Sequence, residues 1–168
     1  AFQEEFGVPY GYTNVDELVN NPEVDAIVVA TGADAHKAPC LAACKAKKHI
    51  FCEKPLATTL EDAKKVVEAE KASGKRLLQI GFMRRFDPDY IKMKKILDSG
   101  ELGAPLMAHC ISRTRSHPKN HTTEQHITNI AIHEIDICRW LLGDEYESAQ
   151  VLKVRQSACS TKGYDNPQ

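Results

Sequence analysis

Val24-Asp25-Ala26-Ile27-Val28-Val29-Ala30 decides the fold of this chain. The β-branched residues run on without alternation, which predicts a strand buried on both faces. Thr31-Gly32-Ala33-Asp34 then turns. A helix is expected to about Lys47, with Pro39 tolerable only near its first turn. His49 to Cys52 reads as the next strand. Thr58-Thr59-Leu60-Glu61 has the form of a capping box, and the helix it opens should end at Ser73-Gly74. Arg76 to Gly81 is a third strand, its apolar content carried by Leu77, Leu78 and Ile80. Before the first strand, Phe2 to Gly7 reads as the end of a helix. Strand, helix, strand, helix, strand needs crossovers. The fold class is therefore α/β: a parallel sheet with helices on its faces and right-handed connections.

After Gly81 the pattern changes. Phe82 to Pro88 is a polar-aromatic connector, and Asp87-Pro88 starts a helix that runs to Gly100. Leu106 to Arg113 reads as a strand. Thr114 to Gln125 lacks periodicity and reads as a loop. A helix covers about Ile127 to Leu142, and Ser148 to Ala158 alternates as a last strand. Two units follow, residues 1–83 and residues 84–168. A parallel α/β unit should begin with a strand, and none precedes the helix end read at Phe2 to Gly7, so the chain is expected to be an internal segment of a longer protein.

The composition, 42% hydrophobic and 27% charged over 168 residues, is that of a globular domain able to bury a core. A net charge of -1 gives no strong attraction to nucleic acid or to an anionic membrane. No apolar run reaches membrane-span length and no secretory signal opens the chain, so a cytoplasmic location is expected. The six cysteines (Cys40, Cys44, Cys52, Cys110, Cys138 and Cys159) form no C-x-x-C pair. They are expected to be small buried hydrophobes rather than a disulfide frame or metal ligands.

Two places carry candidate chemistry. Lys54, in Phe51-Cys52-Glu53-Lys54-Pro55, sits just past a strand's carboxyl end, where open parallel sheets collect ligands. The helix 127–142, plotted at about 100° per residue, is apolar almost all round and should be largely buried. Asn129, His133 and Asp136 make a narrow polar stripe along it. Buried polar groups need partners, so the stripe must meet polar side chains, water or a ligand. It could be a satisfied core network, with Asp136 bonding a neighbouring backbone. It could instead be a site where His133 exchanges a proton near neutral pH. A zinc site using His117, His121, His126 and His133 is the weaker alternative, since their spacing is irregular.

Ala30-Thr31 followed by His36, then Glu53-Lys54-Pro55, Gly81-Phe82-Met83-Arg84-Arg85-Phe86-Asp87 and His133-Glu134-Ile135-Asp136 with Arg139 to Gly143 together resemble the Gfo/Idh/MocA oxidoreductase family. The resemblance covers nearly the whole chain and is strongest to the inositol 2-dehydrogenase group. It implies that residues 1–83 are a partial Rossmann-type dinucleotide-binding domain lacking its first βαβ unit, and that residues 84–168 are part of an α/β substrate and oligomerisation domain with a mixed sheet. It also implies NAD, or alternatively NADP, as cofactor and oxidation of a ring hydroxyl. It puts Thr31, Gly32 and His36 along the nucleotide, Glu53 and Lys54 near the nicotinamide ribose, and Met83 beside the nicotinamide. Lys54, Asp136 and His133 would hold the polyol or sugar. In that scheme His133 is the general base, Lys54 polarises the reacting hydroxyl and Asn129 orients the histidine; a base of this kind gives typically ~10²–10⁴-fold. The resemblance also implies a homotetrameric whole protein.

Three residue patterns depart from the family. No glycine trio has the G-x-G-x-x-G spacing that cradles a pyrophosphate. Asn129 stands where inositol dehydrogenases usually carry an aspartate, and an amide cannot stabilise imidazolium as a carboxylate does. Lys47 stands where glycine is frequent. With the first βαβ unit missing and the second domain short, apolar sheet faces would be open, so the segment alone is expected to bind NAD weakly or not at all, to be inactive and to associate. A different sugar or cyclitol dehydrogenase, and a non-catalytic sugar-binding module on the same fold, stay open.

Overall fold

The computed structural model describes residues 2–112 and 122–152. It divides into two compact units, Ala1–Gly81 and Phe82–Gln168.

The first unit contains α1 (Phe2–Glu5), α2 (Val15–Asn20), β1 (Ala26–Val29), α3 (Lys37–Lys45), β2 (His49–Cys52), α4 (Leu60–Ala72) and β3 (Leu78–Ile80). The strands form one parallel sheet in the order β1-β2-β3, with Ile27 opposite Ile50 and Ile50 opposite Leu78. Each crossover steps to the next strand in the same direction. Two right-handed steps in one direction put α3 and α4 on the same face. That face carries the core: Ile27, Val29, Cys40, Ala43, Cys44, Ile50, Cys52 and Val66, with Val19 from α2. Each fully buried aliphatic side chain there contributes about 1.5–3 kcal/mol.

The continuous apolar run of β1 predicted burial on both faces, and here the structure differs. β1 alternates exposed and buried, and Val28 is 72% exposed. Among the described residues no helix covers the second face, because both crossovers land on the first. The α4 cap also shifts by one residue: Thr59, not Thr58, is the N-cap, and its hydroxyl accepts the Asp62 N–H at 3.2 Å. Helix α2 had no counterpart in the sequence reading, although Asn14 caps it by accepting the Asp16 N–H at 2.8 Å.

Two local devices hold this unit. Buried Glu70, on α4, accepts the N–H groups of Leu77 and Leu78 on one carboxylate oxygen, both at 3.0 Å, and so ties the helix to the start of β3. At the end of α3, the Lys48 N–H reaches the Ala43 carbonyl and the Lys47 N–H reaches the Cys44 carbonyl. This is a Schellman closure, and it puts Lys47 in the left-handed region at φ 56°.

The second unit contains a 3₁₀ turn (Met83–Phe86), α5 (Pro88–Ser99), α6 (Thr123–Gln125), a π-helical stretch (His126–Ala131) and α7 (Ile132–Leu142). Asp87 caps α5 with Pro88 in its first turn, and Gly100 ends it at φ 72°. α7 packs against α5 and the 3₁₀ turn. The expected loop 114–125 ends earlier than read. Thr122 and Gln125 cap each other reciprocally at 3.1 Å and start the helical run. The π-helical stretch replaces what the sequence reads as uniform α-helix.

The strands expected at Leu106–Arg113 and Ser148–Ala158 are not formed in their described portions, 106–112 and 148–152. Alternation supplies strand propensity, but a strand exists only through a pairing partner, and these segments have none among the described residues. Their apolar side chains stand open, Leu106 at 96% and Met107 at 85%. The same lack of cover explains why helix 127–142 is less buried than expected: only Asp136 and Ile137 of α7 are buried. Of the cysteines, Cys40, Cys44 and Cys52 are buried as expected, Cys110 is exposed and Cys138 half-buried. Cys159, His117 and His121 lie outside the described residues.

Candidate functional site

In the first unit the carboxyl ends of the three strands bring the expected cofactor residues to one rim. β1 ends into Thr31-Gly32, β2 into Glu53-Lys54, and β3 into Gly81. The rim is stitched by main-chain bonds: the Glu53 N–H to the Val29 carbonyl at 2.9 Å and the Gly81 N–H to the Cys52 carbonyl at 2.7 Å. Gly81 is tightly placed: a Cβ there would stand 3.2 Å from the Phe51 ring and 3.3 Å from the Glu53 carboxyl carbon. Gly32 has only the Asp34 carboxylate within reach of such an atom. Three small or polar rim peptides at the ends of adjacent parallel strands suit the flank of a dinucleotide.

His36 holds this rim together. Its ring is 1% exposed. Nδ1 lies 2.7 Å from the Pro55 carbonyl oxygen and Nε2 lies 3.0 Å from that of Thr31. The imidazole therefore spans the loop after β1 and the loop after β2. A neutral ring has one N–H and donates to one of the two carbonyls at a time. Lys54 is half-buried on the second loop, and its bond to Pro55 is cis. Burial pulls the Lys54 ammonium below the ordinary lysine range, while the Glu53 carboxylate pushes the other way.

In the second unit the stripe expected along one helix is split. Asn129 lies in the π-helical stretch and is exposed. His133 is half-buried in the first turn of α7, and Asp136 is buried one turn on. The wider turn of the π stretch, with its i→i+5 bonding, takes Asn129 out of the α-helical projection. Met83, in the 3₁₀ turn, is 63% exposed.

Two arginines complete the arrangement, and the sequence reading missed both. Arg85 grips Asp136 with both arms, Nε to Oδ2 at 2.8 Å and a terminal nitrogen to Oδ1 at 2.7 Å. Arg84 meets Glu134 Oε1 at 2.6 Å and lies 5.9 Å from the Tyr90 ring centre. Glu134 Oε2 is buried without a hydrogen-bond partner among the described residues. Asp136 thus bonds a side chain rather than a neighbouring backbone. The clue was present: a buried carboxylate requires a cation, and Arg84-Arg85 is the one adjacent arginine pair in the chain. Arg85 also lines an open cleft of about 460 Å³ with Lys94, Arg139, Trp140 and Asp144.

Among the described residues no group of three or more His, Cys, Asp or Glu side chains is placed to hold a metal, and no helix is long and apolar enough to cross a membrane.

Residues 1–82 match an oxidoreductase family with an NAD-binding Rossmann fold, and residues 90–162 match the Gfo/Idh/MocA C-terminal domain. The chain is 46% identical over 157 residues to the inositol 2-dehydrogenase/D-chiro-inositol 3-dehydrogenase of Shouchella clausii, covering 94% of this chain and 45% of that protein. An inositol 2-dehydrogenase of Klebsiella pneumoniae is 44% identical, with 94% and 47% covered. Among solved structures, the myo-inositol dehydrogenase of Lactobacillus casei in complex with NAD(H) and myo-inositol superposes with a TM-score of 0.83 at 38% identity, over 98% of this chain and 49% of that one. The chain thus spans less than half the length of these relatives.

Proposed function

Because this chain belongs to the Gfo/Idh/MocA oxidoreductase family, we propose that it is part of an NAD-dependent dehydrogenase that oxidises a ring hydroxyl of an inositol. The observation that supports this most is the likeness to inositol 2-dehydrogenases, which runs through both units over 94% of the chain.

In this reading residues 1–83 form part of the dinucleotide domain and residues 84–168 part of the substrate domain. Thr31, Gly32 and Glu53 on the strand rim would lie along NAD, with Met83 beside its nicotinamide. His36 would act through the two carbonyls it holds rather than by touching the cofactor, since its ring is closed off. The chemistry supplied by NAD when bound is hydride acceptance.

The residues of the chain handle the proton and the negative charge. Oxidation of an alcohol releases a hydroxyl proton as hydride leaves the carbon. His133 takes that proton, and Asn129 orients its ring. Lys54 donates a hydrogen bond to the same oxygen and stabilises the alkoxide as it forms. Partial desolvation makes that interaction stronger than it would be in water. Asp136, fixed by Arg85, contributes a substrate contact through its carboxylate. The polyol is the small-molecule partner, and the same reading carries a homo-oligomeric whole protein in the cytoplasm.

A second reading is a sugar or other cyclitol substrate. The exposed amide of Asn129 at the position of an expected acid favours it, as does a TM-score of 0.68 to an aldose-aldose oxidoreductase of Caulobacter crescentus at 26% identity. The test is turnover of the full-length protein containing this segment, with NAD, on myo-inositol against a panel of sugars. Faster turnover of any sugar replaces the inositol reading. Within that protein, His133→Ala should lower kcat by about 10²-fold or more with NAD binding retained. Turnover within a few-fold of the parent removes His133 as base.

A further inference from the structure

Among the described residues, the two cysteines outside the sheet core are in contact. Cys110 Sγ lies 3.4 Å from Cys138 Sγ, and both are free thiols. Cys110 is exposed on the segment 106–112, which has no strand partner among the described residues. Cys138 is half-buried on α7, the helix that carries His133 and Asp136. We propose that Cys110 and Cys138 form a peroxide-reactive thiol pair that closes to an intrachain disulfide and pins segment 106–112 to α7.

The exposures divide the labour. Burial, then the Cys110 thiol, hold the Cys138 thiol above the ordinary cysteine range, which slows its own attack on an oxidant. Cys110 is open to solvent and meets hydrogen peroxide first. Its sulfur attacks one peroxide oxygen, the O–O bond breaks, and water departs with the thiol proton, leaving a sulfenic acid on Cys110. The Cys138 sulfur then attacks the Cys110 sulfur. The S–S bond forms, the S–O bond breaks, and hydroxide leaves with the Cys138 proton as a second water. Two thiols thus lose two electrons to one peroxide. The sulfurs must close from 3.4 Å to a bond of about 2.05 Å. No strand pairing among the described residues holds segment 106–112, so the segment can supply that approach. Cys40, Cys44 and Cys52 are at most 2% exposed and serve as internal controls. Neither step depends on turnover.

The experiment treats the full-length protein containing this segment with hydrogen peroxide, blocks remaining thiols, digests with trypsin and weighs the peptides. Peptides 96–113 and 120–139 each carry one cysteine of the pair. The expected product is the two peptides joined, about 2 Da lighter than their reduced sum, rising about tenfold over the untreated chain and disappearing with a reducing agent. Cys110→Ser and Cys138→Ser should each abolish it, with Cys40, Cys44 and Cys52 still blocked as thiols after denaturation. The proposal is overturned if Cys110 over-oxidises while Cys138 stays a thiol, or if either cysteine joins Cys159 or a second chain instead. Should Cys138→Ser fail to fold, the exposed-site variant Cys110→Ser and the wild-type linked peptide decide the matter.

Discussion

Replacing Arg85 and Asp136 one at a time should give unequal losses of stability, and replacing both should cost less than the sum. The Asp136 side chain is 7% exposed and that of Arg85 is 35% exposed. Arg85→Leu strands a carboxylate with almost no access to water. Stranding one member of a buried pair costs about 3–5 kcal/mol, and partial water entry around this one favours the lower end. Asp136→Leu strands a guanidinium that keeps a third of its surface in solvent, at about 1–2 kcal/mol. With both replaced, no charge is left stranded, and the loss should be no larger than that of Asp136→Leu alone. The implied coupling is about 3 kcal/mol. Trp140 is the single tryptophan of the chain and lies one turn beyond Asp136 on α7. Its fluorescence during urea unfolding therefore reports the unit that holds the pair. Equal single losses with additivity to about 0.5 kcal/mol would show that Arg85 and Asp136 are not closed on each other, and the account of the site would fail with them.

Two further outcomes follow from single side chains. Lys47→Gly should stabilise the first unit by about 1 kcal/mol, because Lys47 is held at φ 56° where glycine carries no penalty; slower amide exchange along α3 is the readout, and unchanged or faster exchange refutes it. The Lys37 ammonium, 2.9 Å from Asp62, holds that carboxyl below the usual range by hydrogen bonding and charge, with Lys65 adding to it. A depressed carboxyl contributes stability above its ordinary value of 3.8 and loses that contribution as pH falls through the lowered one. Lys37→Met should return the Asp62 titration, followed by carboxyl NMR, toward 3.8; an unmoved titration refutes the contact.

The parallel sheet, the strand-rim position of Lys54 and the helix bearing His133 and Asp136 were legible in the chain because they rest on local information. β-branched runs, Pro at a helix start and Gly at a helix end act over a few residues. Lys47 shows how local the rule is: a lysine occupies the left-handed cap because the helix must close there whichever residue is supplied. The Arg85–Asp136 pair shows the limit. Both residues were in plain view, but 51 positions separate them, and no periodicity links a 3₁₀ turn to a helix.

The sequence by itself determined the three strands and the two crossover helices of the first unit and which residue types reach the sheet rim, since propensity and hydrophobic pattern are properties of neighbours along the chain. Only the tertiary structure decided that both crossover helices share one face, that His36 turns inward to bind two loops, that Asp136 is held by an arginine, and that residues 106–112 have no strand partner among the described residues. Each of these depends on what stands opposite a group in space, and burial, pairing and charge compensation are set by that opposition.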